Sequence, residues 1–122
     1  MGVSDKWGVE ISGEGNVTVV SYKAATVSNV EEILAISKQI SEFIEANHPS
    51  RIIVDFEKVK FFSSMVLGLL LDMRAKLKAC NGEVVVSAIN PQLYRVFKIT
   101  NLDKVFRFFP DRESAVEAMS TG

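Results

Sequence analysis

Few side chains in this sequence are suited to chemistry, and their spacing removes most of the options. There is one histidine, His48, and one cysteine, Cys80. That is too few for a cysteine–histidine zinc cluster, an intramolecular disulfide or a catalytic histidine pair. His48 precedes Pro49 in a turn, where a solvated imidazole is expected. Cys80 continues an apolar helical stripe and reads as a buried thiol with nothing beside it to lower its pKa. Seven glycines include no G-x-G-x-x-G and no Walker loop, so no nucleotide-phosphate cradle is expected. Asp55 closes a strand as a phosphate-accepting aspartate would, but the first strand lacks the acidic pair that would hold magnesium. Asp55 is read as capping a turn. What remains is Ser63-Ser64, ahead of the apolar run 65–71. Hydroxyls here would cap the free N–H groups of a helix, and a phosphate on one of them would meet the positive end of the helix dipole.

The elements that must position these serines follow from periodicity. Trp7, Val9 and Ile11 alternate with polar residues, Gly13-Glu14-Gly15-Asn16 supplies a turn, and residues 17–22 return as a second strand. Ser28 and Glu31 have the spacing of a capping box. The helix behind them presents Ile33, Ile36, Ile40, Phe43 and Ile44 on one face and ends at His48-Pro49. Ile52-Ile53-Val54 has the continuous apolar character of a doubly covered strand. A helix over 65–79 places Val66, Leu69, Leu70, Met73, Leu77 and Cys80 on one stripe, leaving Met65, Gly68, Asp72 and Lys76 opposite. Lys76 and Lys78 suit the negative end of its dipole. Asn81-Gly82 breaks that helix and Val84-Val85-Val86 forms another buried strand. Asn90-Pro91 starts a short helix with Leu93, Val96 and Phe97 inward. Residues 105–109 read as a last strand, with Phe106, Phe108 and Phe109 in the core. Pro110-Asp111 opens a final helix carrying Ala115, Val116 and Met119. The order β-β-α-β-α-β-α-β-α predicts an α/β fold: a mixed, mostly parallel sheet of about five strands, an antiparallel hairpin at one edge, and about four helices.

With 122 residues, 48% of them hydrophobic and 24% charged, residues 1–122 read as one domain with an ordered core over about 5–119. Fourteen basic against fifteen acidic residues leave a formal charge of −1. This argues against direct nucleic-acid binding and against a polybasic membrane-surface domain. The run 65–71 is far shorter than the ~20 residues of a membrane-spanning helix. The Met1-Gly2 start fails the myristoylation pattern at Lys6, and no secretory apolar stretch is visible. A cytoplasmic location without membrane insertion is expected. The oligomeric state is left open.

The segment beginning at Asp55 makes the sequence recognisable. It resembles the STAS domain of anti-sigma-factor antagonists over nearly the whole chain, most clearly over 51–119. Asp55, Val59, Phe61, Ser64, Leu67, Gly68, Leu70 and Leu71 match that family's strand-and-helix motif. Residues 81–86 match its G-G-E-L-x-L strand. Asn90-Pro91, Val96-Phe97 and residues 100–106 match its S-P-x-V…V-F…T-G-L-D-x-x-F segment. The family's aspartate is Ser63 here, its second serine is Met65 and its next glycine is Val66. Ala24-Ala25-Thr26-Val27 stands where a kinase-binding G-x-L-D motif is usual.

The resemblance implies a non-enzymatic regulator of sigma-factor-dependent transcription, with no cofactor and no metal. It would bind an anti-sigma factor that is itself a serine kinase, be phosphorylated on Ser64 (with Ser63 as the substitute), and be restored by a phosphatase. Phe62, Ser63, Met65, Val66, Gly68 and Asp72 would form the partner surface. The alternative is a STAS scaffold without phosphorylation, in a sensory complex or a transport system. A small-molecule-binding or enzymatic α/β domain is the third reading, disfavoured by the missing phosphate loop. Gly68 costs about 1 kcal/mol relative to alanine in a helix interior. Either close packing inside the fold or close approach of a partner would account for it.

Overall fold

Seven strands and four helices are seen in the computed structural model, which describes residues 8–14 and 16–120. Trp7, Gly15 and the start of the expected core at residues 5–7 lie outside these. β1 (Val9–Glu14) and β2 (Val17–Tyr22) pair antiparallel, with Val9 opposite Tyr22 and Glu14 opposite Val17. Gly13 and Glu14 therefore belong to the strand, and the hairpin turn is tighter than the four residues expected.

Parallel pairs extend the sheet through β4 (Arg51–Asp55), β6 (Glu83–Ser87) and β7 (Arg107–Phe109), in the spatial order β1-β2-β4-β6-β7. The period of two divides the core between its faces. Val20, Ile52, Val54, Val84 and Val86 meet α1 (Val30–Asn47), α2 (Met65–Lys78) and α3 (Pro91–Ile99). Val19, Ile53 and Val85 meet Ala115 and Met119 of α4 (Arg112–Ser120) on the other face. The expected mixed, mostly parallel five-stranded sheet with four helices is the observed one.

Three local expectations are corrected, and one feature is new. The α1 N-cap is Asn29, whose side chain accepts the Glu32 N–H at 2.9 Å, not Ser28. Asparagine caps as well as serine, and the one-residue shift puts both Glu31 and Glu32 in the first turn, at the positive end of the dipole. Cys80 is exposed, because α2 ends at Lys78 and the chain turns off the apolar stripe before reaching it. β7 starts at Arg107; Val105 and Phe106 close a short 3-10 turn over Leu102–Lys104. A second sheet, not anticipated from the sequence, pairs β3 (Thr26–Val27) with β5 (Phe61–Phe62) in parallel.

Candidate functional site

The small second sheet is what holds the serines. After β4 the chain runs through a connector, residues 56–64, pinned at both ends. The Phe56 N–H donates to the Ser87 carbonyl at 3.0 Å, and the Asn90 side-chain amide donates to the Val59 carbonyl at 3.2 Å. The N–H groups of Lys60 and Phe61 share the Ala25 carbonyl at 2.7 and 3.1 Å, and the Ser63 N–H donates to the Val27 carbonyl at 3.0 Å. Phe62 anchors the connector from beneath: it is 5% exposed and packs against Phe56 and Phe97, at ring distances of 5.5 and 6.1 Å.

Ser63 and Ser64 emerge from this clamp in different environments. The half-buried Ser63 accepts the Met65 N–H on its Oγ at 3.3 Å and the Val66 N–H on its carbonyl at 3.0 Å. Its side chain, and not that of the N-cap residue Ser64, supplies the hydrogen bond to the first N–H of α2. Ser64 is already helical, at φ −61° and ψ −17°, and its carbonyl accepts the Leu67 N–H at 3.1 Å. Its exposed side chain makes no capping hydrogen bond, and the first turn of α2 carries no acidic residue. The Ser64 hydroxyl is thus uncommitted, at a helix end whose dipole favours added negative charge.

Past the serines, α2 turns Met65, Gly68, Leu71 and Asp72 to the outside, and Asp72 pairs with Lys76 at 3.0 Å. A Cβ added at Gly68 would meet nothing within 4 Å, so internal packing is not the reason for this glycine. Two residues expected on the partner surface lie elsewhere. Val66 is fully buried and Phe62 nearly so; the helix stripe and the aromatic cluster draw them into the core, where they support the site without offering a surface. Phe61, 54% exposed, is the outward residue of that pair; a two-residue strand is too short for the sequence to show which of the two faces out.

Asp55 also departs from its expected role. Ser21, Asp55 and Ser87 occupy the same register on three neighbouring strands and are buried. The Ser87 hydroxyl donates to Asp55 Oδ1 at 2.8 Å. Arg112 Nη2 lies 2.8 Å from Ser21 Oγ and 3.5 Å from Asp55 Oδ2, while Nη1 is 3.7 Å from Glu14. Both oxygens of Asp55 are engaged, so it ties α4 to the sheet and caps no turn. Nothing local in the sequence marks this network, because its members are up to 91 residues apart. Among the described residues, no three or more His, Cys, Asp and Glu side chains are grouped to hold a metal, and no helix is long and apolar enough to cross a membrane.

A hairpin-edged, mostly parallel sheet with a clamped strand-to-helix connector is a recognisable fold, and comparison with known proteins identifies it. The STAS domain family model matches residues 10–115. The chain belongs to the STAS domain family. The anti-sigma factor antagonist BtrV of Bordetella bronchiseptica is 28% identical over 71 residues, which are 58% of this chain and 61% of that protein. An anti-sigma-factor antagonist (STAS) domain protein from Planctomyces limnophilus superposes with a TM-score of 0.84 at 23% identity, covering 92% of this chain and 97% of that one. The phosphorylated form of the Bacillus cell-fate determinant SpoIIAA gives 0.72 at 22% identity, over 91% and 98%. The same fold also forms 19% of the murine anion transporter Slc26a9, at a TM-score of 0.71, 14% identity and 91% coverage of this chain.

Proposed function

We propose that the protein is an anti-sigma-factor antagonist whose binding to an anti-sigma factor with serine kinase activity is switched off by phosphorylation of Ser64. The observation that carries this reading is the state of the Ser64 hydroxyl: exposed, free of capping duty and beside an unneutralised helix N-terminus. Ser63 is a poorer acceptor because its Oγ already serves the Met65 N–H. In the proposed step, Ser64 Oγ forms a bond to the γ-phosphorus of ATP, the bond to ADP breaks, and the hydroxyl proton passes to a base of the kinase. The product carries about −1.5 to −2 charges. The dipole of α2 tolerates that charge, whereas a partner seated on Met65, Gly68 and Leu71 would have to bury it. BtrV and SpoIIAA are both named as anti-sigma factor antagonists, which supports the partner class. A phosphatase would restore the binding form, and the switch would act in the cytoplasm on sigma-factor-dependent transcription without catalysis by this chain.

The test is incubation with the kinase-type anti-sigma factor and ATP, followed by intact mass and site mapping. One added phosphate is expected on wild type and on Ser63→Ala, and none on Ser64→Ala. Modification mapped to Ser63, or absent from wild type while the partner binds, would refute the switch.

A further inference from the structure

A different part of the surface points to a second interaction. Ile99, the last residue of α3, is 74% exposed, more than any other large hydrophobic side chain among the described residues. It borders a shallow groove of about 450 Å³ on the outer face of α3, shared with Pro91, Tyr94, Arg95 and Lys98. One wall is braced, since the Tyr94 ring stands edge-on against Phe108 at 4.9 Å. Arg95 and Lys98 are the groove's charged residues, both cations, and neither has a carboxylate partner among the described residues. Lys76 and Arg107, by contrast, are bridged to Asp72 and Glu83 at 3.0 and 3.3 Å. A chain of net charge −1 thus keeps one helix face cationic around an exposed apolar residue.

We propose that this face docks an acidic polypeptide segment of a partner protein, with an apolar side chain of that segment on Ile99 and Tyr94 and its carboxylates on Arg95 and Lys98. Charge complementarity chooses the occupant. Two cations are fewer than the four to eight that a lipid-headgroup site uses, and they do not form the basic stripe that releases counterions from a nucleic acid. An acidic peptide needs only a few such contacts once an apolar anchor is buried between them. The site is independent of Ser64 and stands whether or not the serine is phosphorylated.

The probe is a synthetic acidic peptide of about a dozen residues with one central leucine, titrated into the isotope-labelled full chain and followed by NMR. Amide shifts are expected over residues 91–99 and their neighbours, weakening as salt is raised. Arg95→Glu combined with Lys98→Glu should weaken binding by roughly tenfold or more, and Ile99→Ser by roughly threefold. Both are surface changes, so wild-type circular dichroism is expected. The peptide with serine in place of leucine should bind measurably less. The proposal is overturned if no shift appears, if the shifts map to another face, or if a lysine-for-glutamate peptide binds equally. It is also overturned if a DNA duplex or phosphatidylglycerol vesicles bind this face more tightly than the acidic peptide.

Discussion

Gly68→Ala separates the two explanations of a glycine inside a helix. Glycine is about 0.8–1.0 kcal/mol less favourable than alanine in a helix interior, because it loses more backbone entropy on folding and contributes no side chain. Gly68 is the fourth residue of the 14-residue α2, it is exposed, and a Cβ placed on it meets open space. The substitution therefore recovers the propensity term with no steric charge against it, and the protein should gain about 1 kcal/mol. For a chain of this size that is a rise of roughly 3–5 °C in melting temperature. Urea denaturation checks it: the midpoint should increase with the slope unchanged. Gly82→Ala is the internal contrast. Its Cβ would lie 2.8 Å from the Ser50 carbonyl oxygen and 3.1 Å from that of Leu77, so backbone must move and a loss of about 2 kcal/mol or more is expected.

Binding to the proposed anti-sigma-factor partner supplies the other half of the measurement. If a partner backbone approaches α2 beside Ser64, a new methyl group at Gly68 separates the surfaces and costs about 1–3 kcal/mol, some fivefold to a hundredfold in affinity. A stabilised Gly68→Ala protein that binds less well is the expected outcome. A destabilised protein would refute the packing argument. A stabilised protein with unchanged affinity for that partner would remove Gly68 from the interface.

Four other perturbations follow from the same geometry. Ser64→Ala should change stability by less than about 0.5 kcal/mol, since no cap is lost; Ser64→Glu should raise it by about 0.3–1 kcal/mol through the helix dipole while weakening the partner complex, as melting and binding assays would report. Tyr22 is 2% exposed, its hydroxyl has no hydrogen-bond partner among the described residues, and burial pushes its pKa up. The folded state then keeps a proton that the unfolded chain releases above about pH 10, so stability falls as pH rises past that value; Tyr22→Phe should add about 1 kcal/mol at neutral pH and flatten the alkaline loss in denaturation curves. Ala88 sits at φ 58°, a conformation costing L-residues about 1–2 kcal/mol, so Ala88→Gly should gain about 0.5–1 kcal/mol after glycine's entropy cost, read as a shifted urea midpoint. Arg112→Met strips a charged partner from buried Asp55 and should cost about 2 kcal/mol, less than for a fully buried pair because Arg112 is partly exposed; calorimetry that finds no loss would show that Asp55 does not need it.

Strand and helix order was legible because each element carries its own period. Ile52–Val54 and Val84–Val86 announce doubly covered strands, and the Asn90-Pro91 pair marks a helix start that the structure keeps, with Asn90 accepting the Leu93 N–H at 2.8 Å. What sequence could not deliver depends on contacts between distant segments. The two-residue strands β3 and β5 have no period to read, and they exist because Thr26–Val27 and Phe61–Phe62 meet across the intervening α1 and β4. The Ser21–Asp55–Ser87–Arg112 network is hidden for the same reason. Cys80 was misplaced by extending a helical wheel two residues beyond the helix.

The same limit bears on the serines. By composition Ser63 and Ser64 are interchangeable, and a cap one residue earlier or later would exchange their roles. The choice is made outside α2, by the Val27 carbonyl that takes the Ser63 N–H and so sets where the helix begins. With Ser63 Oγ on the Met65 N–H, the next hydroxyl is left at the positive end of the dipole with no bond to lose. Adding charge there stabilises the helix, so the fold has no reason to change on phosphorylation. On the proposed reading, the two states of the switch must then differ at the partner's surface, over a helix face where Asp72 is the charged residue nearest Ser64 in sequence and is already paired with Lys76. Between Ser64 and Asp72 the face of α2 carries no charged residue, and one phosphate weighs most there, because a partner that fits such a surface has nothing with which to solvate the new charge.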